Sequence, residues 1–298
     1  MSDWGDAAIA FVAGAIVCRL VTSLALRNPP TRLIRMNVDG HPVPAVLGWG
    51  VVAGILAGTL VLAKSFYVYD LGSSCGPLDV APDEITCQLE SVFLWRPWIG
   101  LVVITAGMFA VGLWDDLKGD ELPRGFAGHL SSLRQARWTG GLVKLVGGSL
   151  TALIAVLLLG MPIVAALLAA ACIALSANLI NLFDRAPGRA GKVFLLGALP
   201  IAVLGTVGSA ALLAGAIGAV AVALPLDLRA RAMLGDAGAN PLGAWLGLGL
   251  AIHLWSTSWL VVVVVALLAL NLASERWSFS EVIANNRWLA RMDHLGRK

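Results

Sequence analysis

The sequence predicts an all-α fold, a polytopic transmembrane helical bundle of about nine spans with its N-terminus outside and its C-terminus inside. Three observations predict it. Of 298 residues, 58% are hydrophobic and only 13% charged, where a soluble domain carries about 25%. Long apolar runs alternate with short loops that hold most of the charge, the pattern of helices whose solvent is lipid. The chain carries 33 glycines, which suit helices that associate in lipid by close packing. Mean hydropathy is +0.84.

The spans read as 6–27, 45–64, 97–114, 141–159, 162–182, 193–208, 210–226, 240–255 and 257–274. No cleavable leader is expected: residues 1–6 are acidic and the apolar run after them is long enough to cross. With the N-terminus outside, segments 27–44, 115–140, 184–192, 227–239 and the tail beyond 273 lie inside and hold nearly all of the Lys and Arg, while the opposite loops keep Lys64 and Arg96. That asymmetry sets the orientation and implies a multi-pass protein of the inner, plasma membrane. The net charge of +3 adds little to this. Residues 1–274 form the membrane domain and 275–298 a cytoplasmic tail.

Cys18 and Cys172 lie in apolar runs and read as packing residues. Cys75 and Cys87 share the outer loop 65–97, where a disulfide is open to them. The acids of that loop, Asp70, Asp79, Asp83, Glu84 and Glu90, read as a solvated cap.

The polar motifs lie on the inside face. The third span ends Gly-Leu-Trp-Asp115-Asp116-Leu-Lys118; adjacent carboxylates at a membrane boundary need pairing, hydration or a cation. A basic stretch follows, with Arg124, His129, Arg134, Arg137 and Lys144, suited to an anionic ligand or to topology alone. The fifth span ends Ser176-Ala-Asn178-Leu-Ile-Asn181-Leu-Phe-Asp184, three polar groups on one slowly turning stripe. Arg185, Arg189 and Lys192 come next in a turn-forming segment suited to phosphates. The inside segment after the seventh span carries Gly235-Asp236-Ala-Gly238-Ala-Asn240-Pro241, with Pro241 expected at a helix start. Asp115, Asp116, Asp184 and Asp236 thus reach one compartment from three loops.

These motifs resemble the polyprenyl-phosphate N-acetylhexosamine-1-phosphate transferases, the superfamily of phospho-N-acetylmuramoyl-pentapeptide transferase and the bacterial GlcNAc-1-phosphate transferases. The likeness runs from about Asn37 to the tail. Its best pieces are Gly112-Leu-Trp-Asp115-Asp116-Leu-Lys118, Arg124-Gly with Gly128-His129-Leu, Asn178-Leu-Ile-Asn181-Leu-Phe-Asp184, and Leu234-Gly-Asp236-Ala-Gly238. The resemblance implies transfer of a sugar 1-phosphate from a nucleotide-sugar, UDP-linked in the family, to a membrane polyprenyl phosphate, for cell-envelope glycan synthesis. It implies Mg²⁺, with Asp236 and Asp115 at the metal. Asp115, Asp116 and Asp184 become catalytic candidates; Lys118, Asn178, Asn181, Arg185, Arg189 and Lys192 become substrate-binding ones. No nucleic-acid partner is expected, and a homodimer is open.

The chain departs from the family in four ways. Asp184-Arg-Ala-Pro187-Gly188 stands where the family has Asp-Gly-x-Asp-Gly, so proline replaces an acid that helps hold the nucleobase. Pro44-Ala-Val-Leu-Gly48 replaces Pro-Thr-Met-Gly-Gly. The histidine-rich motif is missing, leaving His294 alone in the tail, and so is a tenth span. These departures keep two rivals in view, a non-catalytic relative that binds prenyl phosphate or nucleotide-sugar as a scaffold, and a lipid flippase or transporter. The tail from Ser278 to Leu295 reads as one amphipathic helix, with Trp288, Leu289, Met292 and Leu295 as its apolar stripe, Arg287 and Arg291 for anionic headgroups, and Ser280 with Glu281 as a weak cap.

Overall fold

A computed structural model of the chain describes residues 3–37, 40–74, 84–118, 140–254 and 258–297, with side chains described outside Asp3, 63–95, 140–143 and Val207. Eleven α-helices lie among them. We number them α1 (Asp3–Arg27), α2 (Leu47–Ser74), α3 (Glu84–Lys118), α4 (Gly140–Leu158), α5 (Ile163–Phe183), α6 (Arg189–Leu204), α7 (Val207–Leu228), α8 (Asp236–Leu254), α9 (Trp259–Ser274), α10 (Phe279–Asn285) and α11 (Arg287–His294). The first nine fall on the segments expected to span. Four pass by length and composition as helices able to cross a membrane: Trp4–Arg27, Arg96–Lys118, Ile163–Phe183 and Gly208–Leu228. A fifth passes if α9 and α10 are taken as one span bent by 86°. The chain is therefore an all-α protein with the helices of a membrane protein. Cys75 and Cys87, to which a disulfide is open, the outer-loop acids and the basic residues Arg124, His129, Arg134 and Arg137 lie outside the described side chains.

Packing follows from small residues. Helices α1, α2 and α7 form one contiguous group, and α3, α4, α5 and α8 a second, with α9 laid on α5. At the first junction a Cβ on Gly58 would lie 2.6 Å from the Gly215 Cα, so these backbones touch. At the second a Cβ on Gly247 would lie 2.7 Å from the Ile173 Cα. Such contact replaces the hydrophobic drive that lipid does not supply. Helix α8 is buried on nearly all sides, and its Trp245 is almost fully enclosed. The Trp245 indole N–H donates to Thr105 Oγ1 at 2.9 Å, so this large side chain enters the core with its polar edge satisfied. Cys18 and Cys172 are buried free thiols, as packing residues should be.

Four local features differ from the sequence reading. Helix α2 runs on to Ser74 and α3 starts at Glu84, so much of the expected outer loop 65–97 is helical. An antiparallel hairpin, β1 (Ile34–Met36) with β2 (Pro42–Pro44), precedes α2. Its strands have three residues each and two prolines, too short to show a period. It is fixed at its base, where Met233 N–H donates to Pro44 O (2.9 Å) and Leu47 N–H to Met233 O (3.1 Å). Helix α8 starts at Asp236, one turn before the expected boundary, so Pro241 sits in its second turn. The tail is two helices, not one. Asn286 leaves helical geometry and caps α11, its Oδ1 accepting from Trp288 N–H (3.0 Å) and Leu289 N–H (3.2 Å). Ser278, not Ser280, caps α10, accepting from Glu281 N–H at 3.4 Å.

Candidate active site at one end of the bundle

The last turn of α3, the first turns of α4 and α8, and the last turn of α5 meet at one end of the bundle. Lys144, on α4, bridges two acids there: its Nζ lies 3.0 Å from Asp115 Oδ2 and also contacts Asp236 Oδ2. Asn181 Nδ2 donates to the other oxygen of Asp236 at 2.7 Å and to Asn240 Oδ1 at 3.1 Å. The Asp115 side chain is 35% exposed and that of Lys144 21%. The cluster is thus held from four helices and still open to a ligand.

Asp116 has a different position from its neighbour. Its Oδ1 accepts from Asp236 N–H at 3.1 Å and its Oδ2 from Ala237 N–H at 2.9 Å. A helix start leaves its first N–H groups without partners and carries partial positive charge. Asp116 therefore caps α8 from another helix and fixes the residue that presents the Asp236 carboxylate. Gly235 makes the approach possible: it has a φ of +66°, and a Cβ there would lie 2.9 Å from Asp116 Oδ2. Arg35 of the hairpin donates to the Asp116 carbonyl, tying β1 to the end of α3.

The remaining candidate residues fall elsewhere. Asn178 donates to Asn271 Oδ1 at 2.7 Å, and Asn271 in turn donates to Leu267 O (2.8 Å) and Leu175 O (3.2 Å). This pair fastens α9 to α5 and is separate from the acid cluster. Lys118 is exposed, with its ammonium 4.1 Å from the centre of the Trp114 ring. Asp184 ends α5 and accepts from Gly235 N–H; burial first, then the charges of Asp227, Asp236 and Asp116, push its carboxyl well above the usual carboxylate range. Asp184, Asp227 and exposed Arg185 line a small cavity with Asn37 and Met233. Arg189 and Lys192 turn to the tail. Arg189 is buried and forks onto Asp293, with Nε–Oδ1 at 2.8 Å and Nη2–Oδ2 at 2.7 Å. Lys192 Nζ donates to the Asp293 carbonyl at 2.7 Å.

Among the described residues no group of three or more His, Cys, Asp and Glu forms a metal cage. Mg²⁺ does not ask for one: it takes one or two carboxylates and fills its sphere with water and phosphate oxygens. The Oδ2 atoms of Asp115 and Asp236 converge on a single cationic point, which Lys144 occupies. The donor set fits Mg²⁺ in kind, with Asp115 and Asp236 as the residues that would hold it.

Sequence reasoning missed Lys144 as a member of the cluster. Its signal was there, a lone lysine in the apolar run Leu142-Val-Lys144-Leu-Val. Asn240 and Asn271 gave the same kind of signal, a single amide in an apolar helix. Arg35 and Asp293 gave none, because their partners are 81 and 104 residues away in sequence. Comparison of the chain with protein families, with characterised proteins and with solved structures returns no match.

Proposed function

We propose that the chain is a Mg²⁺-dependent phosphoglycosyltransferase that moves a sugar 1-phosphate from a nucleotide-sugar to a membrane polyprenyl phosphate. One observation carries this reading: Asp115, Lys144, Asn181 and Asp236, from four helices, share one partly open cluster at the bundle end. The order and spacing of the motifs around it support the same class, since they resemble those of the polyprenyl-phosphate transferases. The positive-inside asymmetry supports a cytoplasmic orientation for that end, as in a protein of the inner membrane.

In the reaction, an oxygen of the lipid phosphate attacks the phosphorus that carries the sugar. That P–O bond forms as the bond to the nucleoside monophosphate breaks, leaving a polyprenyl-diphosphate sugar. Two anions must meet, so the site's work is charge compensation. Mg²⁺ bound at Asp115 and Asp236 would supply a counter-charge for the phosphate oxygens. Lys144 holds that point in the structure; with Mg²⁺ on the acids, its N–H donors would turn to a phosphate oxygen. Asn181 orients Asp236, and Asp116 sets the α8 start from which Asp236 projects. A phosphate monoester is already ionised, so no strong general base is needed. A site at helix ends also suits an acceptor that arrives sideways from the bilayer.

A second reading is a non-catalytic relative that binds the same lipid or nucleotide as a scaffold. The Lys144 ammonium favours it, because it stands where the two carboxylates would share an ion, and so does the tail's hold on Arg189 and Lys192. Purified protein incubated with undecaprenyl phosphate, Mg²⁺ and a panel of nucleotide-sugars separates the two. The enzyme releases nucleoside monophosphate and a new lipid product, and Asp236→Asn abolishes both. Full activity in D236N would remove Asp236 from the metal site.

A further inference from the structure

The geometry points to α11 as an interfacial helix that binds the membrane's own anionic headgroups while Asp293 clasps it to the turn before α6. This inference stands independently of the catalytic reading. The chain after α9 turns through 86°, so α10 leaves the direction of a crossing helix and runs across the bundle end. Phe279 of α10 stacks on Phe183 at the end of α5, with ring centroids 5.1 Å apart, which holds the turned segment at that level.

Helix α11 then has two distinct sides. Asp293 is buried and pairs with Arg189 and with Arg297, whose Nη2 lies 2.7 Å from Oδ1. Arg297 also donates to the Pro187 carbonyl at 2.9 Å, and Arg189 Nη1 donates to Ser280 Oγ at 2.9 Å. On the other side Trp288 is 74% exposed, Met292 61% and Leu295 74%. A spacing of four and then three residues puts these on one stripe, well round the helix from Asp293. Arg287 and Arg291 flank the stripe, exposed, with the Arg291 guanidinium 5.5 Å from the Trp288 ring centre. Asp293 is the only acid on α11, and the clasp removes it from the surface. What α11 shows to its surroundings is therefore cationic and apolar, with an aromatic ring between. That is the complement of an anionic lipid surface. Two turns of helix bury too little apolar area to hold a membrane alone; the clasp and the preceding α9 supply the second attachment.

The test installs a benzophenone side chain at position 288, 292 or 290 of the full chain. The protein is reconstituted in bilayers of phosphatidylcholine mixed with phosphatidylglycerol, and adducts are identified by mass. Positions 288 and 292 should give lipid adducts enriched in phosphatidylglycerol over its share of the bilayer, and Ala290, half-buried on the side opposite the stripe, none. The double variant R287Q/R291Q, which leaves the Asp293 clasp intact, should lose the enrichment and keep the lipid adducts. Lipid adducts in bulk proportion from the unmodified arginine background would overturn the headgroup assignment. Adducts to a second copy of the chain, or none to lipid, would overturn the interface itself.

Discussion

A methyl group on Gly112 should open the joint that builds the acid cluster. A Cβ there would lie 2.7 Å from Ala237 N and nearer still to the Asp236 carbonyl oxygen. Ordinary Cβ contacts begin at 3.4 Å, and the obstacles are backbone atoms that cannot rotate aside. Helices α3 and α8 must separate by most of an ångström. Ala237 N–H and Asp236 N–H are the groups that Asp116 caps at 2.9 and 3.1 Å, so the same shift lengthens both bonds. Overpacking costs about 1–3 kcal/mol, and weakening two hydrogen bonds to a charged group adds to it, giving about 2–4 kcal/mol for Gly112→Ala. For a chain of this size that is a fall of about 3–6 °C in the unfolding midpoint. The assay is thermal unfolding in detergent beside Gly148→Ala, where the new Cβ would meet Met108 Sδ at 3.8 Å. Removing a mid-helix glycine there should leave stability equal or raise it by up to about 1 kcal/mol. Equal midpoints for G112A and the wild type, or an equal fall in G148A, would refute the reasoning.

Thr105→Val removes the acceptor of the Trp245 indole N–H in the centre of α8 and should cost about 1–3 kcal/mol, read in the same unfolding assay; no loss would mean the indole finds another partner. Asp293 is buried, which raises its carboxyl, but Arg189 and Arg297 outweigh this and hold it below the usual carboxylate range. The clasp is therefore fully formed above an unfolded value of about 3.9 and lost as pH falls through the lower folded value. The midpoint gap between wild type and Asp293→Asn should be open at neutral pH and close in acid; a gap that widens in acid contradicts the pairing. Lys144→Gln leaves Asp115 and Asp236 facing each other without their shared cation and takes a donor from incoming phosphate. Transfer should fall by at least about 100-fold, measured as nucleoside monophosphate release, and a change of only a few-fold would remove Lys144 from the site.

The helices were legible because their apolar runs are long, and nine of them cover the segments that composition alone marks, though α2 runs on to Ser74 and α3 already starts at Glu84. Boundaries shifted where a partner from elsewhere in the chain sets them. Helix α8 starts at Asp236 because Asp116 caps it, a contact spanning 120 residues. The acids Asp115, Asp116 and Asp236 were legible as charges that an apolar chain would not carry idly. Their division of labour was not: adjacent carboxylates look alike in sequence, yet one faces Lys144 and the other two backbone amides. Asn178 and Asn181 show the same limit. Three residues apart on α5, one reaches Asn271 of α9 and the other Asp236 of α8. Arg189 and Lys192 read as phosphate ligands because cations in a turn suit phosphates; the acid they meet, Asp293, lies about a hundred residues on.

The proposed function assigns phosphoryl transfer at a membrane face to the cluster of Asp115, Lys144, Asn181 and Asp236. The most direct measurement is nucleoside monophosphate release by the purified full chain, with undecaprenyl phosphate, Mg²⁺ and UDP-linked sugars, read beside D236N. The account predicts release that requires lipid phosphate and Mg²⁺ together and vanishes in D236N. Release that is indifferent to either component, or retained in D236N, would contradict it; binding of lipid or nucleotide with no release from any donor would leave the scaffold reading in its place.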